Sequence, residues 1–126
     1  MAVVMFDVND LKYVNDTYGH DKGDALITTA AKIIKEAFGE LGKCYRTGGD
    51  EFIAVLDCEE VEQLYEKALK AFLKNIRKYN KANKDNGFEL EIAYGVHMSD
   101  EETVGAMRHK ADELMYIKKK EMKSKR

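Results

Sequence analysis

Residues 44–56 read CYRTGGDEFIAVL. Two short runs of strand character flank Gly48-Gly49, and a glycine pair between such runs signals a β-hairpin with a tight turn. A hairpin commits both arms to one antiparallel sheet, so this stretch fixes one strand pairing before the rest of the chain is read. It also sets two carboxylates, Asp50 and Glu51, on the shoulder of the turn, at the mouth of an apolar strand. Glycines there allow positive φ and leave room for a ligand to approach the backbone. A solvated turn carrying a surface acidic pair has the same spacing.

The remaining elements follow from periodicity. AVVMFDV at the N-terminus is nearly continuous apolar sequence, as expected of a strand covered on both faces. Residues 10–18 predict a short helix closed by Gly19 as C-cap. Leu26, Ala30, Ile33 and Ala37 predict a helix over 23–38. Asp57 with Glu60 resembles a capping box that opens a long helix with Val61, Leu64, Tyr65, Ala68, Leu69, Phe72, Leu73, Ile76 and Tyr79 inward. NKDNG breaks that helix. Phe88, Leu90, Ile92, Tyr94 and Val96 alternate, which predicts a strand over 88–97 with one buried face. Ser99 with Glu102 forms another capping box, and Val104, Met107, Ala111, Leu114 and Met115 mark the inner side of a last helix. The order β-α-α-β-β-α-β-α implies an α+β sandwich, with helices on one or both faces of an antiparallel sheet. The simplest arrangement sets the hairpin's second strand beside the first strand, running opposite to it. Asp7 then lies beside Asp50 and Glu51.

Three carboxylates at one sheet end repel one another unless a cation neutralises them. A hard divalent ion such as Mg²⁺ does this, retaining waters and recruiting substrate phosphates. Charge along the chain agrees. The net charge is -2, yet KKKEMKSKR at 118–126 is strongly basic and the body before it is acidic. That balance does not suit a general nucleic-acid binder; it suits carboxylates holding a metal and lysines holding a polyphosphate. At 126 residues the chain is long enough for one domain with a real core. Its apolar runs are strand-length, so no membrane span and no signal peptide is expected. Two cysteines, Cys44 and Cys58, are too few to staple a fold, and a reducing cytoplasm is the default. His20, His97 and His109 lack metal-ligand spacing and read as structural. DVNDLK faintly echoes a calcium loop, but Leu11 holds a ligand position and no glycine follows at the sixth.

RTGGDEF at 46–52 carries the signature of the GGDEF family of bacterial diguanylate cyclases, and the chain resembles that family throughout. MFDVNDLKYVNDTYGHDKGDALI at 5–27 resembles the first-strand block, IAYGV at 92–96 the late strand, and ADELMYIKKKEMK at 111–123 the C-terminal helix. The resemblance implies a ferredoxin-like, nucleotide-cyclase-like antiparallel palm flanked by helices. It implies that Asp7, Asp50 and the backbone carbonyl of Val8 bind Mg²⁺ or Mn²⁺, and that Asp50 and Glu51 are catalytic, with Glu51 activating the attacking hydroxyl. Asn15 and Asp24 resemble the guanine readers. Lys12, Lys119 and Lys123 resemble the phosphate-binding residues, with the backbone N–H groups of Asp10 and Leu11 cradling the terminal phosphates. Lys118, Lys120, Lys125 and Arg126 remain as solvated surface.

The implied function is Mg²⁺-dependent condensation of two GTP into cyclic di-GMP and two pyrophosphates by a transient homodimer. The alternative is a catalytically weak module that binds GTP or cyclic di-GMP for regulation. A third reading is an acidic turn with no nucleotide role. Neither nucleic acid nor membrane is an expected partner of this domain; a cytoplasmic site is expected, and the parent protein could be membrane-anchored. Several departures from the family are visible. Asn9 stands where an aspartate is common. Lys123 stands where arginine is frequent, which keeps the charge but not the bidentate grip. The family's N-terminal helix and LT.L.NR segment are missing, so 1–126 reads as a shortened single domain whose upstream sensor lies outside it. The positions of the family's inhibitory Arg-x-x-Asp product site are Gly39, Glu40, Leu41 and Gly42, so no such site is expected.

Overall fold

The computed structural model describes residues 1–125, so the expectation for Arg126 lies outside the described residues. The elements are β1 (Ala2–Val8), α1 (Leu11–Tyr18), α2 (His20–Phe38), β2 (Gly42–Arg46), β3 (Glu51–Leu56), α3 (Val61–Ala82), a short 3-10 turn (Lys84–Asn86), β4 (Ile92–Met98) and α4 (Val104–Ser124). The four strands form one antiparallel sheet in the order β2-β3-β1-β4. This is the expected α+β architecture, with β3 beside β1 and opposite in direction. β1 is central, which is why every residue in it is buried and its sequence is nearly all apolar.

Side-chain alternation sorts β1 onto two cores. Val4, Phe6 and Val8 enter the larger core under α2 and α3, where Phe6, Phe38 and Phe72 meet at ring-centroid distances of 5.4–5.7 Å. Such pairs contribute about 0.5–1.5 kcal/mol each beyond area burial. Val3 and Met5 enter a smaller core under α4 with Ile53, Ala93, Met107, Ala111 and Met115. By the same parity Asp7 belongs to the α4 face. Its register partner on β3 is Glu51, and directly opposed residues share a face.

Several local expectations are corrected. β4 begins at Ile92 rather than at 88, and both its faces are covered, because Ala93 and Gly95 let α4 lie directly on the strand. A Cβ at Gly95 would overlap Ala111 O and Met115 N on α4. Val104 and Leu114, expected inside, are 40% and 46% exposed. The 57–60 capping box does not form: Glu60 precedes α3 in a left-handed conformation, with no side-chain cap. Ser99 Oγ accepts from the N–H groups of Glu101 and Glu102, but the N-cap of α4 is Thr103, whose hydroxyl accepts from Ala106 N. α2 starts at His20, three residues early, because Gly19 at φ 98° closes α1 and opens α2 at once. No helix among the described residues is long and apolar enough to cross a membrane.

Candidate functional site

The site begins where β1 and β3 end together. Val8 N–H donates to Asp50 O at 2.8 Å, which pins the root of the turn to the end of β1. Thr47 N–H donates to Glu51 O at 2.9 Å and closes the hairpin. Arg46 then braces the turn from below, donating to Gly48 O at 3.1 Å and Gly49 O at 2.6 Å. Neither Gly48 nor Gly49 takes positive φ. The backbone freedom expected of them is unused, and a Cβ would meet nothing within 4 Å at Gly49 and only Glu51, at 3.7 Å, at Gly48.

The outcome is one carboxylate oxygen each from Asp7, Asp50 and Glu51 within 4.8 Å of one another. Asp7 is 5% exposed. Its Oδ2 accepts from Lys119 Nζ at 3.0 Å, and its buried Oδ1 has no partner. Burial holds Asp7 above the usual carboxylate range; the Lys119 bond opposes this, and the Asp50 charge adds to it. Glu51 is raised by burial and by the charges of Asp7, Asp112 and Asp50, against Arg108. Burial by itself would lower Lys119, but its bond to Asp7 and the surrounding carboxylates raise it. Lys119 is therefore firmly cationic, yet it does not fully relieve the acidic cluster. Hard oxygen donors in excess, one of them buried and unpartnered, fit a divalent cation.

On one side of this cluster lies a cleft of about 410 Å³ lined by Asp10, Leu11, Lys12, Asp50, Lys119 and Lys123, together with Tyr13 and Asp16. α1 points its N-terminus into it. Asp10 stands ahead of the helix in a left-handed conformation at φ 61° with no side-chain cap, and first-turn N–H groups of a helix have no intrahelical acceptor. Tyr13 and Asp16 were missed in the sequence. They follow Asp10 at steps of three, a signal that means something only once the helix start is known to face the cleft. Beyond Glu51, on the other side, is a smaller polar hollow of about 300 Å³ with Gly105, Arg108, His109 and Asp112. A further hollow, about 450 Å³ between α2 and α3 around Lys32, Glu36, Lys78 and Tyr79, contains none of Asp7, Asp50 and Glu51.

Asn15 and Asp24 do not line the lysine cleft. Asn15 lies against Gly23, the residue before the exposed Asp24. Asn9 is buried, donating to Met122 Sδ at 3.6 Å while its Oδ1 has no partner. His97 and His109 pair with Glu102 and Glu113 at 2.7 and 3.1 Å. Lys118 and Lys120, expected as bare surface, lie over the rings of Tyr94 and Tyr116 at 5.2 and 4.7 Å. Gly39 ends α2 and Gly42 opens β2.

Comparison with known proteins converges on one group. The profile of the family described as "Diguanylate cyclase, GGDEF domain" matches residues 1–125. The probable diguanylate cyclase DgcI of Escherichia coli is 35% identical over 118 residues, covering 92% of this chain and 25% of that protein. Diguanylate cyclase A of Treponema denticola is 30% identical over 125 residues, covering 94% of this chain and 32% of that protein. The chain thus spans a quarter to a third of the length of these two relatives. Among solved structures, the GGDEF domain of YfiN from Pseudomonas aeruginosa superposes with a TM-score of 0.81 at 25% identity, covering 95% of this chain and 71% of that one. The active GGEEF domain of a Vibrio cholerae diguanylate cyclase gives 0.75 at 24% identity, covering 95% and 76%, a likeness of fold.

Proposed function

This chain belongs to the GGDEF domain family of diguanylate cyclases, and from that membership we propose that it condenses two GTP into cyclic di-GMP with release of two pyrophosphates. The observation that carries the reading is the adjacency of the Asp7, Asp50 and Glu51 cluster to a lysine-lined cleft at a helix N-terminus. Lys12, Lys119 and Lys123, with the N–H groups at the start of α1, hold the terminal phosphates. Asn15 and Asp24 read the guanine edge; a carboxylate accepts from the paired N–H donors that adenine lacks.

Asp7, Asp50 and the Val8 carbonyl would hold Mg²⁺ or Mn²⁺. When bound, that ion neutralises the carboxylates, polarises the phosphoryl oxygens and lowers the pKa of the attacking hydroxyl. Glu51 takes the proton from the 3′-hydroxyl. The freed oxygen forms a bond to the α-phosphorus of the second nucleotide, and the bond to pyrophosphate breaks in line. Each domain offers one nucleotide site while the product needs two such steps. Two copies therefore meet face to face as a transient homodimer, in the cytoplasm where GTP is supplied. A sensor elsewhere in the parent protein sets how often they meet. Residues 39–42 offer no arginine to fork onto guanine O6 and N7, so tight product binding there is not part of this reading.

The test is pyrophosphate release from GTP and Mg²⁺ across a range of protein concentrations. Turnover that rises faster than linearly with protein is the expected result. GTP binding without pyrophosphate release would instead establish a binding module, and no thermal shift with GTP would remove the nucleotide role altogether.

A further inference from the structure

Among the described residues, the glycine with the least obvious reason to be one is Gly23. It sits inside α2, buried, and not at positive φ. Glycine in a helix interior is disfavoured relative to alanine, so this position carries a local cost that backbone freedom does not explain. Space explains it. A Cβ at Gly23 would overlap Asn15 Oδ1 and lie 2.7 Å from Asn15 Cγ. Either amide atom of Asn15 in that place would meet the methyl group.

The amide of Asn15 has little else to hold it. Its Oδ1 is buried and has no hydrogen-bond partner. Its backbone is fixed, because Asn15 O accepts from Gly19 N–H at 3.0 Å where α1 turns into α2. The side chain thus leaves a fixed root and lies against α2 at Gly23, the residue before Asp24. We propose that Gly23 is a positioning residue for base recognition: its missing side chain is what lets the Asn15 amide lie against α2 one residue before Asp24, and a larger residue there turns that amide away from the base. This rests on the reading of Asn15 and Asp24 as guanine contacts.

The experiment is a double-mutant cycle on the whole chain with Gly23→Ala, Asn15→Ala and the two combined, with GTP and ATP as titrants in calorimetry and thermal melting in parallel. Residues in direct contact are expected to be coupled. Gly23→Ala should weaken GTP about as much as Asn15→Ala, tenfold or more, with ATP unchanged. The combined variant should bind GTP no worse than Asn15→Ala. Melting gives a second readout that a uniformly structural role would not produce. Gly23→Ala should lower the melting temperature in the wild-type background, and raise it in the Asn15→Ala background, where the methyl has room. Wild-type GTP affinity in Gly23→Ala, or GTP losses that add in the combined variant, would overturn the assignment while leaving the cyclase reading intact. If Gly23→Ala does not fold, the combined variant decides, and weaker GTP binding there than in Asn15→Ala overturns it. A wild-type protein that binds no GTP overturns the guanine reading and this inference together.

Discussion

The two halves of the candidate site are built in opposite ways. The half proposed to read the base lies within residues 15–24, at one corner between α1 and α2, and is shaped by Gly19 at φ 98° and by the bare surface of Gly23. The half proposed to hold metal and phosphate gathers Asp7, Asp50, Glu51 and Lys119 from β1, the hairpin and α4. Local chain geometry is enough for the first. The second exists only if β3 pairs with β1 in register and α4 docks on β4 at Gly95. They also differ energetically. The 15–24 half is a packing arrangement around Gly23 and Asn15. The other crowds carboxylates whose repulsion Lys119 only partly offsets. The proposed function carries a stability cost in both halves: crowded carboxylates in one, and in the other a helix-interior glycine and a buried amide oxygen without a partner.

The largest expected effect separates them directly. Asp50→Ala should lower turnover by about 10³-fold or more, as when charge stabilisation is removed from a transition state. Melting should stay close to wild type, because an exposed turn contributes little packing. Asp7→Asn should be similarly inactive, with a metal-free melting temperature at or above wild type. A marked loss of stability in either would contradict the stored repulsion; pyrophosphate assays and melts decide.

In the base half, Asp24→Ser should cost about 10- to 100-fold in GTP affinity, the loss of a hydrogen bond to a charged group, and should narrow the preference over ATP. Its stability should be unchanged, since Asp24 is exposed. Undiminished discrimination in calorimetry would remove Asp24 from the base half.

The third and smallest effect is the pH dependence of the metal half. Asp7 and Glu51 are both held above ordinary values, so the folded metal-free protein binds their protons more tightly than the unfolded chain does. Their ionisation costs stability that is absent below about pH 4 and complete once pH exceeds the raised folded values. Mg²⁺ at about 100 times its Kd adds about 2.7 kcal/mol. That gain should be full at pH 8 and should shrink as pH falls through the raised values. Melts with Mg²⁺ or chelator stepped from pH 8 down to about pH 4 measure it, and an equal gain across that range would break the link between the raised carboxylates and the metal.

Much of this molecule was legible in its residues. Strand and helix identity followed from periods of 2 and near 3.6, and the Gly48-Gly49 hairpin fixed β2 against β3. Asp7 beside Glu51 followed from antiparallel pairing, since opposed residues share a face. Apolar pattern does not reveal which helix covers which face, and there the reading failed. Phe88 and Leu90 extended the alternation without extending the strand. Val104 and Leu114 had helical spacing without burial. The second face of β4 was hidden because Ala93 and Gly95 mark close approach of a helix rather than hydrophobicity. The capping boxes at 57–60 and 99–102 fit their pattern, but a cap is chosen by where the chain must turn, and that depends on what it packs against. The sequence by itself therefore determined the elements, the hairpin and the supply of carboxylates and lysines. Tertiary structure alone decided the Asp7–Lys119 bond and the docking of α4 on β4 at Gly95. Each of these depends on distances between chemically unpatterned neighbours, and only packing in three dimensions sets such distances.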